Sequence, residues 1–135
     1  MTPSIPHRRI LVVEAEPAIR NILYVLLAGL NCESEIAHSG QQALGMISRG
    51  SFDAVLLDLR SPQVPAQEVV AQIKQISPSL VGRVLVITGE FTDSKTLEWI
   101  ESQCLTPIPG NRLMSDLWSR LRVLLGLAPP AENRS

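Results

Sequence analysis

Several things are scarce in this sequence, and each scarcity excludes a class of protein. Only 2 cysteines occur in 135 residues. Cys32 and Cys104 lie far apart, with no CxxC pair and no histidine at ligand spacing, so neither a zinc site nor a disulfide framework is indicated. They read as reduced thiols of a cytoplasmic protein. No segment approaches the roughly 20 apolar residues that span a bilayer. The stretch from Met1 to Arg9 holds two prolines and two arginines but lacks the apolar core of a signal peptide. An excess of one charge is missing too: 12 Lys and Arg against 13 Asp and Glu leave a formal net charge of -1, with no basic run. The long-range field that gathers nucleic acid or an anionic membrane surface is therefore absent, and neither is an expected partner.

What is present is the composition of a packed globule, 45% hydrophobic and 19% charged, in a chain long enough for one domain only. The expected boundaries are a flexible N-terminus at 1–8, a domain at 9–126 and a flexible tail at 127–135. Ile10 to Val13 is a short apolar run rich in β-branched residues, the pattern of a strand covered on both faces. Glu16 and Pro17 open a helix carrying Ile19, Ile22, Leu23, Leu26 and Leu27, ending near Gly29. The alternation then repeats. A weaker extended segment, 33–37, leads through Ser39 into a helix with Ala43, Leu44 and Ile47 inward. The strand at 52–57 stops at Asp58, and a proline-containing loop, 61–65, precedes a helix with Val69, Val70, Ile73 and Ile76. Arg83 to Ile87 forms a fourth strand ending at Thr88 and Gly89, and a helix from about Asp93 to Glu101 bears Leu97 and Ile100. Cys104 to Thr106 is a candidate fifth strand limited by Pro107 and Pro109, and Leu113, Leu117, Leu121 and Leu124 mark a last helix stopped by Gly126. Five βα repeats imply a doubly wound, five-stranded parallel sheet of flavodoxin-like α/β type.

Ligands of such sheets bind at the carboxyl ends of the strands, which here carry Glu14, Glu16, Asp58, Thr88 and the region around Thr106. Crowded carboxylates call for a cation. A hard, oxygen-seeking ion such as Mg2+ suits them, and a carboxylate beside it can act as a nucleophile toward a phosphoryl group.

The blocks Ile10-Leu-Val-Val-Glu-Ala-Glu-Pro-Ala-Ile-Arg20, Ser39-Gly-Gln-Gln-Ala-Leu44, Phe52-Asp-Ala-Val-Leu-Leu-Asp-Leu-Arg-Ser-Pro62 and Gly82-Arg-Val-Leu-Val-Ile-Thr-Gly89 together resemble the receiver domain of bacterial two-component response regulators, from about Arg9 to Leu125. The resemblance implies a (βα)5 domain, not an enzyme, in which Asp58 accepts a phosphoryl group from a sensor histidine kinase or phosphotransfer protein. It implies that Thr88 contacts that group and that Mg2+ is held by Glu14, Asp58 and the backbone carbonyl of Arg60. It also implies an output surface on the fourth and fifth helices, where Trp99 and Trp118 fall, with homodimerisation through that face.

The pattern is broken in two places. The family has two adjacent acids after the first strand, the second a direct metal ligand; here Ala15 stands at that second position, between Glu14 and Glu16. A lysine normally follows the fifth strand, and Thr106 or Pro107 stands at its place, depending on where a gap is drawn. A phosphoaspartate adds roughly -1.5 to -2 charge, with little here to offset it. Arg112 is one candidate for the missing charge, while Arg60 and Arg83 read as solvated. Two functions therefore compete: a phosphorylated receiver that signals by docking, since no output segment follows Leu125 in this sequence, and a pseudo-receiver serving as a constitutive protein interaction module. A phosphate-bearing cofactor is a poor third, because Glu14 and Glu16 would repel it. Trp99 and Trp118 read equally as partner anchors or as rings leaning on the core, and His38 as surface.

Overall fold

The computed structural model describes residues 8–61, 65–90 and 92–126. The expected flexible ends therefore lie outside the described residues, apart from Arg8, and so does Pro62. Ten principal elements alternate: β1 (Arg8–Val13), α1 (Pro17–Gly29), β2 (Cys32–Ala37), α2 (Gly40–Arg49), β3 (Ala54–Asp58), α3 (Ala66–Ile76), β4 (Val84–Thr88), α4 (Ser94–Ser102), β5 (Thr106–Pro109) and α5 (Leu113–Leu124). The strands form one parallel sheet in the order β2-β1-β3-β4-β5.

The continuous apolar runs of β1, β3 and β4 follow from burial on both faces. Leu11, Val13, Val55, Leu57, Val84 and Val86 point into one core with Ala43, Ile47, Val69, Ile73 and Ile100 of α2, α3 and α4. Ile10, Val12, Leu56, Leu85 and Ile87 point into the other with Leu23, Leu27, Leu117 and Leu121 of α1 and α5. Ile22, Ile76 and Leu97, which share the helical spacing of the core stripes, face outward instead. They sit at the margins of those stripes, where the 3.6-residue period carries a side chain out of the interface.

Caps set the helix starts. Ser39 accepts a hydrogen bond from the backbone N–H of Gln42, and Asp93 accepts one from Thr96. The fifth strand differs from the expectation of 104–106: β5 runs over 106–109 and contains both prolines. It is an edge strand, where a proline's missing N–H breaks no ladder on its open side. Arg8 already belongs to β1.

Candidate functional site

The upper rim of the sheet carries the buried polar side chains Glu14, Asp58 and Thr88, respectively 1%, 3% and 5% exposed. Each follows or closes an apolar strand, and each needs partners to offset its lost hydration. Glu14 continues β1, its N–H donating to Ala37 O at 3.0 Å.

Asp58 is held from its own loop. Leu59 extends the β3–β4 ladder by donating its N–H to Ile87 O at 2.9 Å, and the chain then turns back, with Ser61 N–H donating to Asp58 O at 3.3 Å. The turn brings Arg60 over the carboxylate. Its backbone N–H and its Nε each donate to Oδ1 at 2.9 Å, and Nη2 donates to Oδ2 at 2.9 Å. This is the bidentate fork that makes Arg–carboxylate pairs strong and directional. Arg60 is thus more than the solvated side chain expected from the sequence: though partly open to solvent, it is drawn onto the buried Asp58.

The seat of Arg60 is lined by two glycines. A Cβ at Gly89 would lie 3.9 Å from Arg60 Cγ, an ordinary contact, whereas one at Gly110 would lie 3.1 Å from Arg60 Cζ, closer still to Nη1, and 3.4 Å from Thr88 O. Pro109 ends β5 beside the site, pairing with Thr88, and Gly110 follows it. Thr106 and Pro107 pair lower down with Leu85 and Val86, so neither stands where the family's lysine would reach the site. Nor does Arg112 supply the charge: its Nε donates to Asp116 Oδ2 at 3.0 Å, one turn along α5.

Charge is distributed unequally between the two buried acids. Glu14 is pushed up to about 7, chiefly by burial and then by its hydrogen bond with Asp58, although the backbone N–H of Glu16 bonding its Oε1 at 3.0 Å pulls the other way. Burial also works to raise Asp58, but the Arg60 guanidinium, the Glu14 hydrogen bond and the Arg60 backbone N–H outweigh it and hold Asp58 below the usual carboxylate range. Asp58 therefore favours the ionised form and Glu14 is the member of the pair that takes up a proton first, the arrangement expected of two adjoining carboxyls in unlike surroundings. Arg60 is raised in turn, first by its bond to Asp58.

A cleft of about 380 Å3 opens over Glu14, Ala15, Glu16, Ile19, Asp58, Arg60 and Ser61. A second, of about 240 Å3, is lined by Leu59, Arg60, Thr88, Gly89, Thr92, Asp93 and Thr96. Arg60 walls both, so Thr88 borders the seat of the guanidinium and not the cleft that exposes Asp58. Glu16 lies at the outer lip, exposed.

Receiver domains typically bind Mg2+ at this acidic pocket, and the donors here do not fit it. Both Asp58 oxygens are engaged by Arg60, Ala15 offers a methyl group, one Glu14 oxygen accepts from Glu16, and the other, Oε2, is buried and finds a partner only if Glu14 carries a proton to share with Asp58. No group of three or more His, Cys, Asp or Glu able to hold a metal occurs among the described residues. Mg2+ needs near-octahedral oxygen coordination, whereas a proton on Glu14 answers its orphaned oxygen without an ion.

The two tryptophans part company. Trp99 packs against the core beneath α4, whereas Trp118 is 39% exposed, with the Arg122 guanidinium 5.2 Å from its ring centre. His38 is an exposed partner of Arg20, whose Nη1 lies 2.9 Å from its Nδ1.

The family model described as "Response regulator receiver domain" matches residues 10–108. Response regulator MprA of Mycobacterium avium is 30% identical over 125 residues, which cover 93% of this chain and 54% of that protein. The chain thus spans about half the length of the curated relatives it matches. Among solved structures, a CheY-like response regulator receiver domain protein from Methanospirillum hungatei superposes with a TM-score of 0.79 at 20% identity, covering 90% of this chain and 95% of that one. A structure described as adenylate cyclase from Rhodopirellula baltica superposes with a TM-score of 0.78 at 24% identity, covering 90% and 89%. These structural likenesses concern the fold alone.

Proposed function

The chain belongs to the response regulator receiver domain family of two-component signal transduction, and on that premise we propose that its Asp58 accepts a phosphoryl group from the phosphohistidine of a sensor histidine kinase or phosphotransfer protein. The observation that carries this reading is a buried Asp58 at the end of β3, held by the Arg60 guanidinium and bordering an open cleft. A carboxylate nucleophile must be unprotonated, and the Arg60 guanidinium, then the Glu14 hydrogen bond, favour that form of Asp58. In the transfer an Asp58 oxygen forms the new bond to phosphorus as the P–N bond breaks. The histidine nitrogen keeps the electron pair and takes a proton from solvent.

The phosphorylated domain then signals by protein contact. The exposed Leu97 on α4 and Trp118 on α5 support an output face there, which also serves a homodimer. The site's work is accomplished in the cytoplasm, within a domain spanning 9–126.

A second reading, a pseudo-receiver that docks without phosphorylation, is favoured by the grip of Arg60 on both Asp58 oxygens. Incubation with acetyl phosphate followed by intact mass measurement separates the two. A phosphoryl adduct on the native chain, absent in Asp58→Asn, is the expected result. An unlabelled native chain refutes the phosphoacceptor reading.

A further inference from the structure

We propose that Arg60 is the phosphoryl-binding cation of this domain, acting without a metal ion, and that Gly110, the residue just after β5, leaves the space that admits its guanidinium. The inference rests on the phosphoacceptor reading of Asp58 and goes beyond it.

Three observations converge. The Arg60 fork already lies on the nucleophile, with two N–H···O bonds of 2.9 Å to the two carboxylate oxygens. The donor set at Glu14, Ala15 and Asp58 does not fit Mg2+, and no lysine lies within α5 or β5. Finally, the space beside Thr88 O that a Cβ on Gly110, just past β5, would enter is filled by the Arg60 head. The positive charge beside Asp58 thus comes from the loop after the third strand, and Gly110, without a side chain, leaves room for it.

Such an arginine suits the product as well as the reactant. When an Asp58 oxygen attacks an acyl phosphate donor, the bond from phosphorus to the donor oxygen breaks, and acetate leaves with the electron pair from acetyl phosphate. The carboxylate charge is exchanged for a phosphoryl group carrying roughly -1.5 to -2. A planar guanidinium pairs bidentately with phosphate oxygens as it does with carboxylate. Arg60 therefore follows the charge outward through a small rotation of its head, with its stem kept between Gly89 and the β3 end.

The test uses the whole chain, acetyl phosphate, and either Mg2+ or EDTA, with labelled fraction read by intact mass over time and thermal unfolding of every variant checking the fold. Native protein is expected to label at the same rate in both conditions. Arg60→Ala is expected to slow labelling roughly a hundredfold, the scale of removing a preorganised charge-stabilising donor. Gly110→Ala should also slow it by displacing the guanidinium, and the double variant Arg60→Ala/Gly110→Lys should recover part of the loss by supplying a cation from the position after β5. Labelling of the native chain only with Mg2+ overturns the proposal while leaving Asp58 as phosphoacceptor. So does Arg60→Ala labelling as fast as native or faster, which makes the arginine a blocking group. A native chain that never labels overturns both.

Discussion

The Arg60 guanidinium holds both carboxylate oxygens of Asp58, two residues away, at 2.9 Å each. The pair sets the ionisation of the site, because burial alone would drive Asp58 upward. Removing the guanidinium takes away the largest opposing influence on burial, so Arg60→Ala should raise Asp58 from its depressed value, while the Glu14 hydrogen bond and the backbone N–H of residue 60 still hold it down in part. A carbon-detected NMR titration of the side-chain carboxyls follows this directly. Since the folded value is depressed in the native chain, the pair contributes stability that is present above about pH 3.8 and is lost as pH falls through the folded value. Loss of the partner is expected to cost about 1–3 kcal/mol at neutral pH.

Glu14 behaves with the opposite sign. Its folded value near 7 lies above the ordinary 4.5, so the native state binds the extra proton in that interval. Stability contributed by Glu14 is full below about pH 4.5 and is lost as pH rises through 7, by at most ~3 kcal/mol. Urea unfolding midpoints at pH 5 and pH 8 should differ less in Glu14→Gln than in the native chain. An unchanged difference would remove Glu14 as the proton holder.

The α2–α3 contact is closed at a single glycine. A Cβ on Gly40 would lie 2.5 Å from Val69 Cγ2 and 3.4 Å from Pro65 Cδ, and the stiff Val69 cannot swing aside. Gly40→Ala should destabilise the fold by about 1–3 kcal/mol through overpacking, measured by urea denaturation, while leaving the ionisation of Asp58 unchanged.

Arg112 is a control. Its guanidinium pairs with Asp116 on the outer side of α5, so Arg112→Ala should leave acetyl phosphate labelling at the native rate. A slowed rate would place a second cation in the site.

The layered fold was legible because β1, β3 and β4 are continuous apolar runs and the intervening helices repeat at 3.6 residues, so Asp58 and Thr88 could be assigned to strand ends from sequence. The loss at Ala15 was equally plain, as a methyl group between two acids. β5 differs from its expected span because Pro107 and Pro109 read as terminators in sequence, and only the strand order reveals that they lie on an open edge. The role of Arg60 was hidden for a related reason. Spacing locates it two residues past Asp58, but the turn that folds it back, and the seat that Gly110 leaves, depend on β5 arriving from the far end of the chain. The joint presence of an arginine after the strand-ending acid and a glycine after β5 is the signal that could have found it. The tryptophans, indistinguishable by sequence, separate only through packing, Trp99 onto the core and Trp118 outward.

The most direct test of the central claim is to locate the phosphoryl group chemically. Native chain treated with acetyl phosphate is reduced with borohydride, which converts an aspartyl phosphate to homoserine, and then digested and sequenced by mass spectrometry. Homoserine at position 58 and nowhere else is the expected result. An unmodified Asp58, or homoserine at another acid, contradicts the account.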